Sequence, residues 1–311
     1  MIRCGFLLLI LVIRIHAFGL AGINSGEAVD IGGIRQWITL KGVSDANPIL
    51  LFLHGGPGSS AMGYADKFTG ELQKHFIVVQ WDQRESGATK KLNTSKEALT
   101  VALFEHDAVE LINYLRNRFT RDKIFLMGHS WGGFLGMTVA SRHPELLSCF
   151  IAISPMIYQR ESERLSLEMM MEKAKKEKNN AAAMELSRIH IPFENGEQLY
   201  YHRKWLAITM SEKPPPRNYV ISWSATWLAL FNEASRVNFF VEAPEIGCPI
   251  YFFEGSKDYQ THFKLLERYY ETVKANKKQL FWFTNSAHLL NLTEPAKMQE
   301  IIIKTILPEL K

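Results

Sequence analysis

The five residues Gly128-His129-Ser130-Trp131-Gly132 constrain this chain more than anything else in its 311 residues. They stand between an apolar run at 123–127, read as a strand, and a run at 134–140 whose apolar residues suit a helix. A chain that passes from strand to helix in so few residues must turn sharply, and its central residue takes a strained backbone conformation. Only small residues two positions on either side avoid collision there, and both positions are glycine. Such a turn lifts the Ser130 hydroxyl clear of the sheet. It also aims the following N–H groups and the helix dipole at negative charge developing nearby. Ser130 is therefore a candidate nucleophile, and the fold that presents it is an α/β sheet.

The remaining chain supports that class, because short apolar runs alternate with amphipathic stretches. Strands are expected at 34–40, after the Gly32-Gly33 turn, and at 49–53, running directly into His54-Gly55-Gly56-Pro57-Gly58. Others fall at 76–81, ending at Asp82-Gln83-Arg84, and at 149–153, 250–253 and 279–283. Helical spacing occurs at 104–118, at 262–274 and from Pro295 onward. The alternation breaks at Ser154-Pro155. Residues 156–245 read as helical segments only, with Trp205, Trp223 and Trp227 in an aromatic-rich stretch that Pro214-Pro215-Pro216 interrupts. The expected organisation is a core in two parts, 21–155 and 246–311, with a helical cap at 156–245 between them. The Lys/Glu run at 172–178 is the solvated face of a cap helix.

Of the net charge of +4, Arg3 and Arg14 account for two in a leading segment that carries no acid. The remainder is too small and too scattered to suggest a nucleic-acid partner. Arg3, the apolar run at 6–13, and the small residues Ala17 and Ala21 give residues 1–20 the pattern of a signal peptide. Cleavage would give an exported protein, periplasmic or secreted, with no stable membrane association. An uncleaved segment would leave the protein anchored or cytoplasmic, although the apolar run is short for a bilayer core of roughly 30 Å. Beyond the leader only Cys149 and Cys248 remain, with no metal-ligand spacing. They fall at the starting ends of strands expected to be neighbours, where they either form a disulfide or stay as buried thiols.

A serine nucleophile needs a base. His54 and His129 belong to the two glycine loops, where a histidine more often braces the loop, and His106, His143, His190, His202 and His262 fall in helical or surface contexts. His288, just after the last strand, is on a loop at the strand's carboxyl end, within reach of the serine. The acid that orients the imidazole should precede it in the order Ser, Asp, His. Asp258 in Glu254-Gly255-Ser256-Lys257-Asp258 meets that requirement, with Glu254 as the nearby substitute. Backbone N–H groups of Gly56 and Trp131 are the expected oxyanion donors. No metal and no cofactor is called for.

Taken together, His54-Gly55-Gly56-Pro57-Gly58, Trp81-Asp82-Gln83-Arg84 and Gly128-His129-Ser130-Trp131-Gly132-Gly133 resemble the motifs of proline iminopeptidases and their α/β-hydrolase relatives. The resemblance implies the α/β-hydrolase fold: a mostly parallel eight-stranded sheet, helices on both faces, and a helical cap inserted after the sixth strand. It further implies cap glutamates that bind a free N-terminal amine, beside an apolar pocket for proline. Glu233 in Phe231-Asn232-Glu233 is the position that corresponds to one of them. The chain departs from the pattern twice: Leu206 follows Trp205 where the family has glutamate, and Glu85 stands where it has glycine. Two reactions through an acyl-enzyme on Ser130 remain open. One is aminopeptidase cleavage releasing an N-terminal proline or small apolar residue; the other is esterase or amidase action on a small uncharged acyl substrate. The partner in either case is a small molecule or short peptide. A catalytically silent binding module is the remote third reading.

Overall fold

A computed structural model describes residues 22–93 and 97–310. The leader expected at 1–20 lies outside the described residues. Among those that are described, no helix is long and apolar enough to cross a membrane.

Eight strands form one sheet: β1 (Ile23–Ile31), β2 (Ile34–Gly42), β3 (Ile49–Leu53), β4 (Ile77–Asp82), β5 (Ile124–His129), β6 (Leu147–Ile153), β7 (Ile250–Gly255) and β8 (Lys278–Phe283). Their order across the sheet is β1-β2-β4-β3-β5-β6-β7-β8. Only β2 runs against its neighbours; the remaining pairs are parallel. Parallel strands buried on both faces read as unbroken apolar runs, and β3 illustrates why. Its Ile49, Leu51 and Leu53 enter the hydrophobic cluster on one face, while Leu50 and Phe52 enter the cluster on the other.

Sequence patterning did not single out β1. Its residues INSGEAVDI bury only Val29 and Ile31, because it is an edge strand with one partner. The link to β2 is tight, with Gly32 at φ 56° and Gly33 at φ 74°, the left-handed pair that a two-residue hairpin favours.

Helices α1 (Val101–Phe119) and α2 (Trp131–Arg142) precede and follow β5. Between β6 and β7 come α3 (Gln159–Lys176), α4 (Asn180–Leu186), α5 (Gly196–Thr209), α6 (Arg217–Ser235) and the short α7 (Phe239–Glu242). Asparagine side chains start three of them: Asn179 accepts from the Ala182 amide, Asn195 from Gln198 and Asn238 from Phe240. Two contacts seat α6 on the glycine loop after β3. The Trp223 indole N–H donates to the Pro57 carbonyl at 2.9 Å. Gly58, at φ 82°, lies so close to Trp227 that a Cβ there would fall 2.4 Å from the indole.

Cys149 and Cys248 are both free and buried. Phe150 pairs with Ile250, so Cys149 lies opposite Pro249 and Cys248 is one residue out of step. That offset sends the two side chains to opposite faces, Cys149 into one cluster and Cys248 into the other. Burial raises both thiols, Cys248 to about 12.

Candidate active site

Ser130 occupies the turn between β5 and α2 with φ 57° and ψ −114°, a conformation that costs an L-residue on the order of 1–3 kcal/mol. The flanking glycines are sterically required. A Cβ on Gly128 would come within 2.2 Å of the Gly132 carbonyl oxygen, and one on Gly132 within 2.0 Å of that of Leu53. Local backbone geometry therefore fixes where the hydroxyl points.

Two loops from the carboxyl edge of the sheet meet that hydroxyl. His288 Nε2 is 3.0 Å from Ser130 Oγ, and His288 Nδ1 is 2.8 Å from Asp258 Oδ2. All three residues are buried. Asp258 is held in turn: its Oδ1 accepts from the amides of Gln260 and Thr261 at 2.8 and 3.0 Å, and Thr261 Oγ1 lies 2.8 Å from its Oδ2. Burial works to raise its pKa, but the His288 charge and the hydrogen bonds from His288 and Thr261 outweigh burial. They hold Asp258 well below the usual carboxylate range, so it stays ionised. Glu254, the sequence alternative, behaves in the opposite way. Burial first, and then the Asp258 charge, raise it well above a normal glutamate, the reverse of the shift at Asp258.

A second buried histidine lines the site. His129 Nε2 is 2.9 Å from the His288 carbonyl oxygen, so that nitrogen carries the hydrogen and donates it. Burial, reinforced by nearby His288, pushes His129 down to about 3, and the ring is neutral.

The expected oxyanion residues lie on either side of Ser130. Trp131 follows it as the first residue of α2, and Gly56 lines the cavity above it. The Gly55 carbonyl accepts from His54 Nδ1 at 2.8 Å and from the Ser59 amide at 3.2 Å. A planar trans peptide points its C=O and N–H in opposite directions, so the Gly56 amide faces away from His54. Gln83 ties the two loops together: its Nε2 donates to the His54 carbonyl at 3.2 Å, and its Oε1 accepts from the Trp131 indole at 2.9 Å. Glu85, the departure from the family pattern, has φ 53°, the left-handed region in which glycine is free of strain.

Above the serine a cavity of about 340 Å³ opens beneath the cap. Its wall is largely apolar, with Met156, Leu199, Leu206, Val220, Trp223 and Phe231 among its members. Arg203 also lines it, but Glu163 grips that guanidinium at 2.5 and 2.7 Å. Burial works to raise the pKa of Glu163; the Arg203 charge, with hydrogen bonds from Arg203 and Gln159, overcomes this and lowers it. His202 itself is pushed down to about 4, mainly by burial, so its contact with Glu163 is a hydrogen bond from a neutral ring.

Glu233 does not enter the cavity and must be corrected. It is exposed, and its carboxylate accepts from the Val101 amide at 3.2 Å. Helix α6 turns Val220, Trp223, Trp227 and Phe231 inward, and a residue two positions beyond Phe231 is rotated by about 200°. The acid on the cavity wall is Glu212, on the turn between α5 and Pro214-Pro215-Pro216. Partial burial and the nearby Asp258 raise its pKa, while His288 works the other way. Only the proline run, which breaks the helical pattern there, hinted that this turn mattered. Thr261 and Gln83 were likewise not distinguished as braces, because their partners are brought to them by the fold.

A family model for the alpha/beta hydrolase fold matches residues 48–295. Over 294 residues the chain is 28% identical to the protein named Probable aminopeptidase YbaC of Bacillus subtilis strain 168, covering 87% of this chain and 92% of that one. It is 25% identical over 290 residues to the proline iminopeptidase of Heyndrickxia coagulans, covering 88% and 96% respectively. Among solved structures, proline iminopeptidase of Mycobacterium smegmatis superposes with a TM-score of 0.66 at 17% identity, covering 92% of this chain and 98% of that one. With its eight-stranded sheet and the family match over most of its length, this chain belongs to the alpha/beta hydrolase fold family.

Proposed function

We propose that the chain is a serine hydrolase working through an acyl-enzyme on Ser130, and that it acts as an aminopeptidase on short peptides with a small apolar N-terminal residue. The observation that carries the first part is the unbroken relay from Ser130 Oγ to His288 to Asp258, at 3.0 and 2.8 Å. His288 Nε2 takes the hydroxyl proton as Oγ bonds to the substrate carbonyl carbon. The oxygen of that carbonyl gains negative charge, and the Gly56 and Trp131 amides stabilise it. His288 then gives the proton to the departing nitrogen, and later activates the water that releases the acyl group. Asp258 keeps the imidazole oriented and balances its transient charge.

The aminopeptidase part rests on the cavity and on the names its relatives carry. Arg203 is neutralised by Glu163, which leaves Glu212 as the wall's free carboxylate for a substrate ammonium, beside an apolar wall suited to proline or a small aliphatic side chain. Purified protein is therefore expected to cleave prolyl and alanyl chromogenic amides, and Glu212→Gln is expected to raise KM for them by roughly tenfold, the loss of one charge-assisted contact. Esters lacking the amine should be almost unaffected. Equal effects on both substrate classes would instead favour a simple esterase or amidase.

A further inference from the structure

The catalytic cavity has a buried end and an exposed end, and both are apolar. At the buried end are Leu206, Val220 and Phe231, none more than 5% exposed. At the other are Tyr64, Tyr219 and Leu289, which are 37%, 57% and 42% exposed and also line the cavity. Three of the nine large apolar side chains exposed among the described residues thus gather around one opening. They arrive from three separate elements: the loop after β3, the first turn of α6, and the residue directly after His288. Tyr64 also touches the core residue Phe68, with 6.1 Å between ring centroids, whereas neither Tyr219 nor Leu289 is among the side chains packed against the two hydrophobic clusters. Solitary exposed apolar residues are ordinary, whereas a ring of them at the mouth of a site is a recognition surface.

We propose that Tyr64, Tyr219 and Leu289 form a leaving-group subsite that selects an aromatic or large aliphatic group on the departing side of the scissile bond. This rests on the reading of Ser130 and His288 given above. In the acylation step the Ser130 Oγ–carbon bond forms and the carbon–nitrogen bond (carbon–oxygen in an ester) breaks. The serine proton passes through His288 Nε2 to the departing atom. That atom must therefore lie against His288, whose neighbour in the chain is Leu289. The acyl part stays on Ser130 toward the buried end, and the departing part has the mouth as its route to solvent.

The test holds the acyl residue constant and varies what leaves. Prolyl or alanyl dipeptide amides ending in alanine, phenylalanine, leucine or aspartate are compared, with ethyl and benzyl esters of one short acyl group in parallel. We expect kcat/KM to favour phenylalanine over alanine by about tenfold, a hydrophobic contact at a partly open site. Tyr219→Ser and Leu289→Ser should each bring that ratio toward one, and Tyr219→Phe should keep it. Because both substrates meet the same enzyme population, the ratio does not depend on how much of a variant folds. A wild-type ratio near one in both series, or an unchanged ratio in both serine variants, overturns the subsite. Failure of the underlying reading looks different: turnover would persist in Ser130→Ala, or be absent in both series.

Discussion

The buried polar groups around Ser130 and those around Arg203 in the cap are arranged in opposite ways. Around Ser130, at the sheet's carboxyl edge, they form an open chain, in which Thr261 supports Asp258, Asp258 supports His288, and His288 ends on a hydroxyl facing the cavity. In the cap they close on one another: Glu163 takes both terminal nitrogens of Arg203, and His202 completes the cluster. An open chain has a reactive end, whereas a closed cluster only holds shape. On the function proposed above, the open chain carries the chemistry and the cap the choice of substrate.

The largest expected effect falls on the open chain. Ser130→Ala should abolish hydrolysis and covalent labelling by a fluorophosphonate. Asp258→Asn should lower kcat by roughly three orders of magnitude or more, as members of such a unit do. Labelling that survives Ser130→Ala would break the comparison at its centre. A smaller effect should follow from the brace behind it. Gln83→Met keeps the buried volume but releases both the His54 carbonyl and the Trp131 indole. We expect kcat and the labelling rate to fall together by roughly ten- to a hundredfold with KM steady, since misplaced donors weaken the transition state more than the ground state. A raised KM at constant kcat would assign Gln83 to substrate binding instead.

The smallest effect sharpens the comparison through acid, because His129 beside Ser130 and His202 in the cap are both buried and neutral. Their folded values, about 3 and about 4, lie below the ordinary 6.5. Above pH 6.5 neither state binds the protons; as pH falls below it, the unfolded chain takes them up first. Stability should therefore decline from pH 6.5 toward 4, by at most about 1.4 kcal/mol per pH unit for each histidine. Melting temperatures at pH 7, 6 and 5 test this, with His202→Gln expected to flatten the slope. An unchanged slope in that variant would remove the cap from the effect.

How much was legible in the sequence follows the same division. That Ser130, His288 and Asp258 would lie together was legible because each is tied to the end of a strand, and apolar runs make strand ends visible. The position of Gly56 beside Ser130 on the cavity wall was legible for the same reason. Glu233 misled because which face of a cap helix turns inward depends on packing against α1 and the glycine loop, which sequence spacing does not encode. The place of Glu212 on the cavity wall was not legible because a turn residue has no periodicity to mark it. Edge strand β1 escaped notice because an edge needs few buried side chains.

The hairpin that joins β1 to β2 has a practical consequence. Its turn stands near Arg84 and Asp107 at the carboxyl edge of the sheet, and Ile23 pairs with Gly42 at the opposite edge. Nine extended residues carry the chain about 30 Å between those poles. A fusion partner, bead or lipid tether attached ahead of Ile23 would hold the molecule by its base, with the ring of Tyr64, Tyr219 and Leu289 turned outward to meet what diffuses past.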